Sequence, residues 1–167
     1  MDEIADHANV SKPVLYQHFP SKLDLYLAVL DIHIDSLVFT IQKAISANRE
    51  NSSRVGATVE AYFGFIDSEG EAFRLLFESD MSLEPQVRER LNRMTYDNAA
   101  AVSAVISIET GLGKEESMML AVGIIGTVQI AARHWLDRDG KIDRQRATEL
   151  VMNLMWRGIS GFPKSQS

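Results

Sequence analysis

Apolar positions recur at three- and four-residue steps along almost the whole chain, and no stretch alternates apolar and polar residues long enough to make a strand. Leu23, Leu27, Leu30, Ile34, Leu37 and Val38 form one such stripe, which predicts a long helix from Ser21 to about residue 48. Ser21 stands at the N-cap, with Asp24 three residues on in capping-box position. Ahead of it the pattern predicts a short helix over 2–8 and a tight turn at Asn9-Val10-Ser11. A second short helix then runs from its N-cap Ser11 to about His18, with Val10 and Leu15 facing inward. Pro13 suits a first helical turn, where its missing N–H would be unpaired anyway, and Phe19-Pro20 breaks the helix.

Beyond a polar connector over 48–54, helices are predicted at 55–68 and 71–78. Ser82 and Pro85 open a long helix reaching Thr110, and "GLGKE" separates it from another at 115–138. "RDGKID" turns the chain into a last helix at 144–160, stopped by Gly161 and Pro163 before a polar "KSQS" tail. No internal repeat or low-complexity tract interrupts this order, and the fold class is all-α. The most apolar window, 118–132, is too short for the roughly 20 residues of a membrane span. It contains Gln129 and is flanked by charges, so it reads as a buried helix.

Composition narrows the function. A chain of 167 residues with 46% hydrophobic and 24% charged residues has the balance of a soluble globular protein. It has no cysteine, which excludes disulfides and thiolate chemistry and fits a reducing cytoplasm. Met1 is followed by Asp2 and Glu3 rather than by a basic and then apolar stretch, so no signal peptide is expected and the protein is placed in the cytoplasm. The net charge of −6 means that any nucleic-acid contact must come from a local positive patch.

Such a patch exists. Two short helices joined by a turn of about three residues make a helix-turn-helix, whose second helix normally enters the major groove with its N-terminal residues nearest the bases. Here those are Lys12, Pro13, Val14 and Gln17. From Ser11 to Lys22 there are two lysines and no acid. Over residues 1–26 the four acids Asp2, Glu3, Asp6 and Asp24 against Lys12 and Lys22 leave −2, which is weak electrostatics for gripping phosphates.

"MDEIADHANVSKPVLYQHFPSKLDLYLAVL", residues 1–30, resembles the DNA-binding segment of TetR-family transcriptional regulators, in the pattern "IA…A.VS…LY.HF.SK..L". The resemblance implies that Ser11, Lys12, Tyr16, His18 and Lys22 meet phosphates or bases, that Val14 and Gln17 face the groove floor, and that Phe19 locks the small core. The bland reading of the same residues makes Tyr16 and Phe19 core aromatics and Lys22 a solvated charge. The resemblance also implies the organisation: a partial helix-turn-helix DNA-binding module over 1–28, then a helical ligand-binding and dimerisation domain over 29–167. Family members carry another helix before this point, often behind a basic arm. Met1 falls where their second helix begins, as in a shortened chain, a misplaced start or an upstream segment not included.

In the helical body, Ala147, Leu150, Val151, Leu154, Met155 and Gly158 form a stripe at helical spacing in the last helix. Gly123, Gly126, Thr127 and Ala131 are small residues in the helix before it, and interior glycine costs about 1 kcal/mol against alanine. These residues either pack within one subunit or pair with a second copy. The resemblance implies the latter, a homodimer joined through a four-helix bundle that reads two half-sites roughly 34–36 Å apart. A ligand pocket is largely apolar with a few converging polar groups. Residues that fit such a lining are Tyr62, Phe77, Tyr96 and Trp135, with Arg74, Asn98, Gln129 and His134 as polar groups interrupting apolar runs. Residues of these types are more often plain core, or reach solvent.

Other chemistry finds no support. The four histidines lack metal-ligand spacing, and no cofactor or metal is expected. "GLGKEE" lacks the Ser or Thr of a phosphate loop, and no nucleophile–base set is visible, so an enzyme is not expected. The leading expectation is a DNA-binding transcriptional regulator, a repressor that binds a near-palindromic operator as a dimer and is released by a small, mostly apolar effector. The alternative is a helical dimer that binds a small molecule or protein without binding DNA, favoured by the −2 balance and the absent first helix.

Overall fold

The computed structural model describes residues 1–70, 74, 80–137 and 141–158. Among these, helix is the only regular structure: α1 (Asp2–His7), α2 (Lys12–His18), α3 (Lys22–Ser46), α4 (Asn51–Ser68), a 3-10 turn at Asp80–Leu83, α5 (Pro85–Thr110), α6 (Lys114–Asp137) and α7 (Arg144–Arg157). The helix expected over 71–78 lies outside the described residues, apart from Arg74.

Local chemistry sets the breaks. Asn9 takes the left-handed conformation at φ 55°, which asparagine tolerates better than most residues, and so turns α1 into α2. Phe19 is extended, as a residue before proline must be, and closes α2. The Ser21 hydroxyl accepts from the Asp24 N–H at 3.1 Å, and the Asp24 carboxylate accepts from the Ser21 N–H at 3.0 Å, a complete capping box for α3. Gly111 caps α5 at φ 74°, and the Asp143 carboxylate caps α7 by accepting from the Arg146 N–H at 2.9 Å.

α3 buries Leu27, Leu30, Ile34, Leu37, Ile41 and Ile45 along one face, against α4 and α5. α4 supplies Val59, Tyr62, Phe63 and Ile66 to the same core and packs on α6 and α7. α5 and α6 run against each other over the most extensive contact among the described helices. A single helix, α3, therefore carries the chain from the helix-turn-helix into the body. The boundary expected at 28/29 falls inside it.

Two expectations are corrected. Val10 was to face inward with Leu15, but only Leu15 is buried, and Val10 is exposed. α1 and α2 bury only Ala5 and Leu15, and the turn residue between the helices stays outside. α6 was to be buried, but only its Ser117, Ala121, Ile125, Val128 and Ala132 stripe is. By length and composition α6 could cross a membrane, yet it packs in the helical body and leaves an apolar face open.

Candidate nucleic-acid interface and ligand cavities

α2 presents nearly its whole circumference. Ser11, Lys12, Pro13, Val14, Tyr16, Gln17 and His18 are all exposed, as is Lys22 at the start of α3, and Leu15 alone is buried. These eight residues therefore lie on one small module, with apolar Val14 and Tyr16 on its surface rather than in a core. Ser11 sits at the N-cap, but its side chain makes no capping bond. Phe19 is half-buried, its ring 6.4 Å from that of His18.

The electrostatics of the module centre on one pair. The Lys12 ammonium lies 2.8 Å from one Asp2 carboxylate oxygen and donates to the other at 2.9 Å. That hydrogen bond holds the Asp2 carboxyl below its usual range, and the carboxylate in turn raises the lysine. Both groups are solvent-exposed, so the pair is screened and adds little to stability. Its consequence is chemical: any anion approaching the Lys12 ammonium meets an acid already seated on it.

The residues expected to line a ligand site divide into groups. Tyr62 and Asn98 are buried to 0% exposure. The Tyr62 hydroxyl and both amide atoms of Asn98 have no hydrogen-bond partner among the described residues. Gln129 reaches toward the Tyr62 hydroxyl without closing a well-formed bond, and burial pushes that hydroxyl's pKa far up. His134 and Trp135 instead line a separate cavity of about 420 Å³ with Phe63, Ala131, Ile142, Leu150 and Val151, where the Trp135 indole donates to the Ile142 carbonyl at 2.6 Å. Arg74 and Tyr96 are exposed, Tyr96 at 61%. Tyr96 thus faces away from the core that takes Asn98, because two residues along a helix do not share a face. Phe77 lies outside the described residues.

Sequence reasoning missed another cavity, of about 390 Å³, lined by Ile45, Asn51, Arg54, Val55, Thr58, Val102, Val105, Ile106, Glu109, Thr110, Ile124, Met155 and Trp156. Its apolar walls, Ile45, Val55, Val102, Val105, Ile106 and Ile124, are ordinary aliphatic residues at helical spacing, which look like core until the helices are assembled. Across its lining, Arg54 donates to Glu109 at 3.2 Å. Nearer the α2 end of α3, Arg90 grips Asp31 through Nε at 2.9 and 3.1 Å, tying α5 to α3. No group of three or more His, Cys, Asp or Glu among the described residues is placed to hold a metal ion.

The small residues expected at a dimer contact are placed unevenly. Ala147 and Val151 are buried in the subunit's own core, on the helix that packs against α4, so their side chains are already covered. Gly123, Leu154 and Gly158 are exposed, and Gly126, Thr127, Ala131, Leu150 and Met155 are half-buried. Met119 and Ile130, each 73% exposed, extend the Gly123–Gly126–Thr127 face by one turn in either direction. Neither was expected there.

A helix-turn-helix mounted by one long helix on a helical body defines a class of DNA-binding regulator, and comparison with known proteins agrees. Residues 1–29 match the family described as bacterial regulatory proteins, tetR family, and residues 51–158 match the tetracyclin repressor-like C-terminal domain. The chain belongs to the TetR family and is a transcriptional regulator of that type. It is 44% identical over all its 167 residues to the HTH-type transcriptional activator FasR of Mycolicibacterium smegmatis, covering 76% of that protein. It is also 25% identical over 162 residues to an uncharacterized HTH-type transcriptional regulator of Mycobacterium tuberculosis, spanning 96% of this chain and 69% of that one. A third relative is the nucleoid occlusion factor SlmA of Vibrio cholerae, 23% identical over 145 residues, 83% of this chain and 74% of the relative.

Proposed function

We propose that this chain acts in the cytoplasm as a homodimer that reads a near-palindromic operator through α2 and loses its grip when a small, mostly apolar effector binds the helical body. Residues 1–28 would read DNA and 29–167 would sense and dimerise, the two parts coupled by the helix they share. The observation that carries the reading is α2 itself: a helix that buries one residue and exposes Lys12, Val14, Tyr16 and Gln17 has its surface committed to something outside the chain. An effector works only through a difference in affinity between the DNA-competent and incompetent arrangements of two such modules. The sequence reading takes repression as the outcome. A second reading, activation, is favoured by the 44% identical relative being named an activator. The fold is neutral between them, because the sense of control depends on where the operator lies relative to the promoter.

Fluorescence anisotropy with the DNA flanking its own gene, at two salt concentrations, tests the proposal. Selective binding that weakens steeply with salt is expected. Binding that is equal on operator and scrambled DNA would leave the alternative, a helical dimer that does not read DNA.

A further inference from the structure

Among the described elements α1 and α2 pack substantially only on each other, so the direction in which they face is set by α3, the helix that continues from them. Tyr26, Leu27 and Leu30 hold α3 to the core, but apolar burial is non-directional. The directed contact comes one residue later. Arg90 of α5 donates through Nε to both carboxylate oxygens of Asp31, at 2.9 and 3.1 Å, and through a terminal nitrogen to the Gln86 carbonyl at 3.3 Å. The guanidinium is thus held by its own helix on one side and by α3 on the other. On the α4 side of α3, His33 lies 3.9 Å from Glu69, too far for a hydrogen bond. Beside the Asp31–Arg90 pair the two helices part around an open recess of about 300 Å³, bordered by Ile34, Asp35, Arg93 and Asp97. At this level close packing does not fix the angle between α3 and α5, and the ion pair does.

A partly exposed ion pair adds little to stability. Its leverage is geometric. Asp31 lies nine residues along α3 from Lys22, about 13 Å, so a tilt of about 10° at the pair displaces Lys22 by roughly 2 Å. We propose that Arg90 is a positioning residue for the DNA-reading module. Its grip on Asp31 sets the angle at which α3 carries α1 and α2, and so the distance between the two half-site readers of a dimer. Arginine suits this task, since a lysine ammonium has no planar fork to meet Asp31 and Gln86 in one fixed orientation. That α2 reads DNA rests on the regulatory reading above. The setting of α1 and α2 by Arg90 does not.

The chain has no cysteine, so spin labels at Asp6→Cys on α1 and Ala104→Cys on α5, both exposed positions, attach nowhere else. Double electron–electron resonance on the labelled chain, diluted into excess unlabelled chain, reads the α1–α5 distance within one subunit and without DNA. Arg90→Gln is expected to broaden that distribution and shift it by about 2 Å, with the melting temperature little changed. The exchanged pair, Asp31→Arg with Arg90→Asp, is expected to narrow it again. Arg54→Gln, which breaks the Arg54–Glu109 pair beside Ile45 near the far end of α3, is expected to leave it as it was. Asp31→Asn makes the same comparison should Arg90→Gln fail to fold. A distribution untouched by Arg90→Gln, or broadened equally by Arg54→Gln, would overturn the proposal. Anisotropy with operators whose half-sites are spread by one base pair reads the consequence for DNA. Arg90→Gln is expected to reduce the preference for the natural spacing severalfold while half-site binding is unchanged. Label distances that move as expected in a chain that binds no operator selectively count against the regulatory reading and not against the role of Arg90.

Discussion

At the scale of single residues, the Asp2 carboxylate sits 2.8 Å from the Lys12 ammonium, so on the proposed DNA-reading role of Lys12 it competes with a phosphate. Replacing Asp2 with Asn should raise operator affinity severalfold at low salt, since Lys12 no longer has a competing anion to shed. Lys12→Ala should weaken binding uniformly across sequences and reduce the salt slope by about 1, as expected for one lost phosphate contact. Anisotropy over a salt series reads both, and an Asp2→Asn variant that binds more weakly would mean the pair holds α1 and α2 in their binding geometry. Its pH dependence has a definite sign. The Asp2 carboxyl is lowered below its ordinary 3.8, so the pairing is present above that value and is lost as pH falls through the lower folded-state value. Deeper in, Tyr62→Phe removes a buried hydroxyl that has no well-formed hydrogen bond among the described residues and should leave thermal stability unchanged or raise it by about 1 kcal/mol. A clear drop in melting temperature would show that the hydroxyl is satisfied. Residues of this kind were only half legible. Asn98 and Gln129 stand out in the sequence because they interrupt apolar runs, whereas Val102 or Ile124 announce nothing, since a cavity wall and a packed core use the same side chains. Tyr96 and Asn98 looked equivalent in sequence, and helix register alone sends one to solvent and the other inside.

At the scale of elements, α3 carries the largest responsibility, because it belongs both to the DNA-reading module and to the core. Its start is fixed by the Ser21–Asp24 capping box. Ser21→Ala should cost about 1 kcal/mol in chemical denaturation, and fraying of this first turn should weaken operator binding more than the stability loss alone, because Lys22 and the exit from α2 sit on it. An unchanged operator affinity at full folding would separate the cap from the reading of DNA. This capping box was visible in sequence as S-x-x-D, and most other helix ends also fell within a few residues of their expected positions because proline, glycine and aspartate mark them. The start of α4 did not. It was expected at 55 and begins at Asn51, inside what reads as a polar connector. The first turn is held there by Arg54, which donates to the Asn48 carbonyl at 2.9 Å and to the Asn51 side chain at 2.8 Å. Such side-chain pinning leaves no trace in hydrophobic periodicity.

At the scale of the whole molecule, α6 sets an unresolved account of burial. Its inner stripe packs against α5, while Met119, Gly123, Gly126, Thr127 and Ile130 make a second stripe on the other side. A Cβ added at Gly123 or Gly126 would meet nothing within 4 Å. Packing within the subunit therefore gives no reason for glycine at either position, although each costs about 1 kcal/mol relative to alanine in a helix interior. A second copy of the chain supplies the reason if its backbone approaches α6 closely. Around a two-fold axis every contact is made twice, so one substitution acts on both faces. Ile130→Glu should then raise the dimer dissociation constant on the order of a hundredfold or more, from the roughly 1.5–3 kcal/mol that burial of each such side chain contributes. Gly123→Ala should act with opposite signs in two measurements, raising the helix's intrinsic stability and weakening association. Sedimentation equilibrium reads the dimer, and anisotropy with a full operator and with a single half-site reads the consequence. A monomeric Ile130→Glu chain should lose the full operator's advantage while its half-site binding is unchanged. If Ile130→Glu stays dimeric, the pairing surface lies elsewhere, and the open glycines of α6 would point to a contact with a different helix.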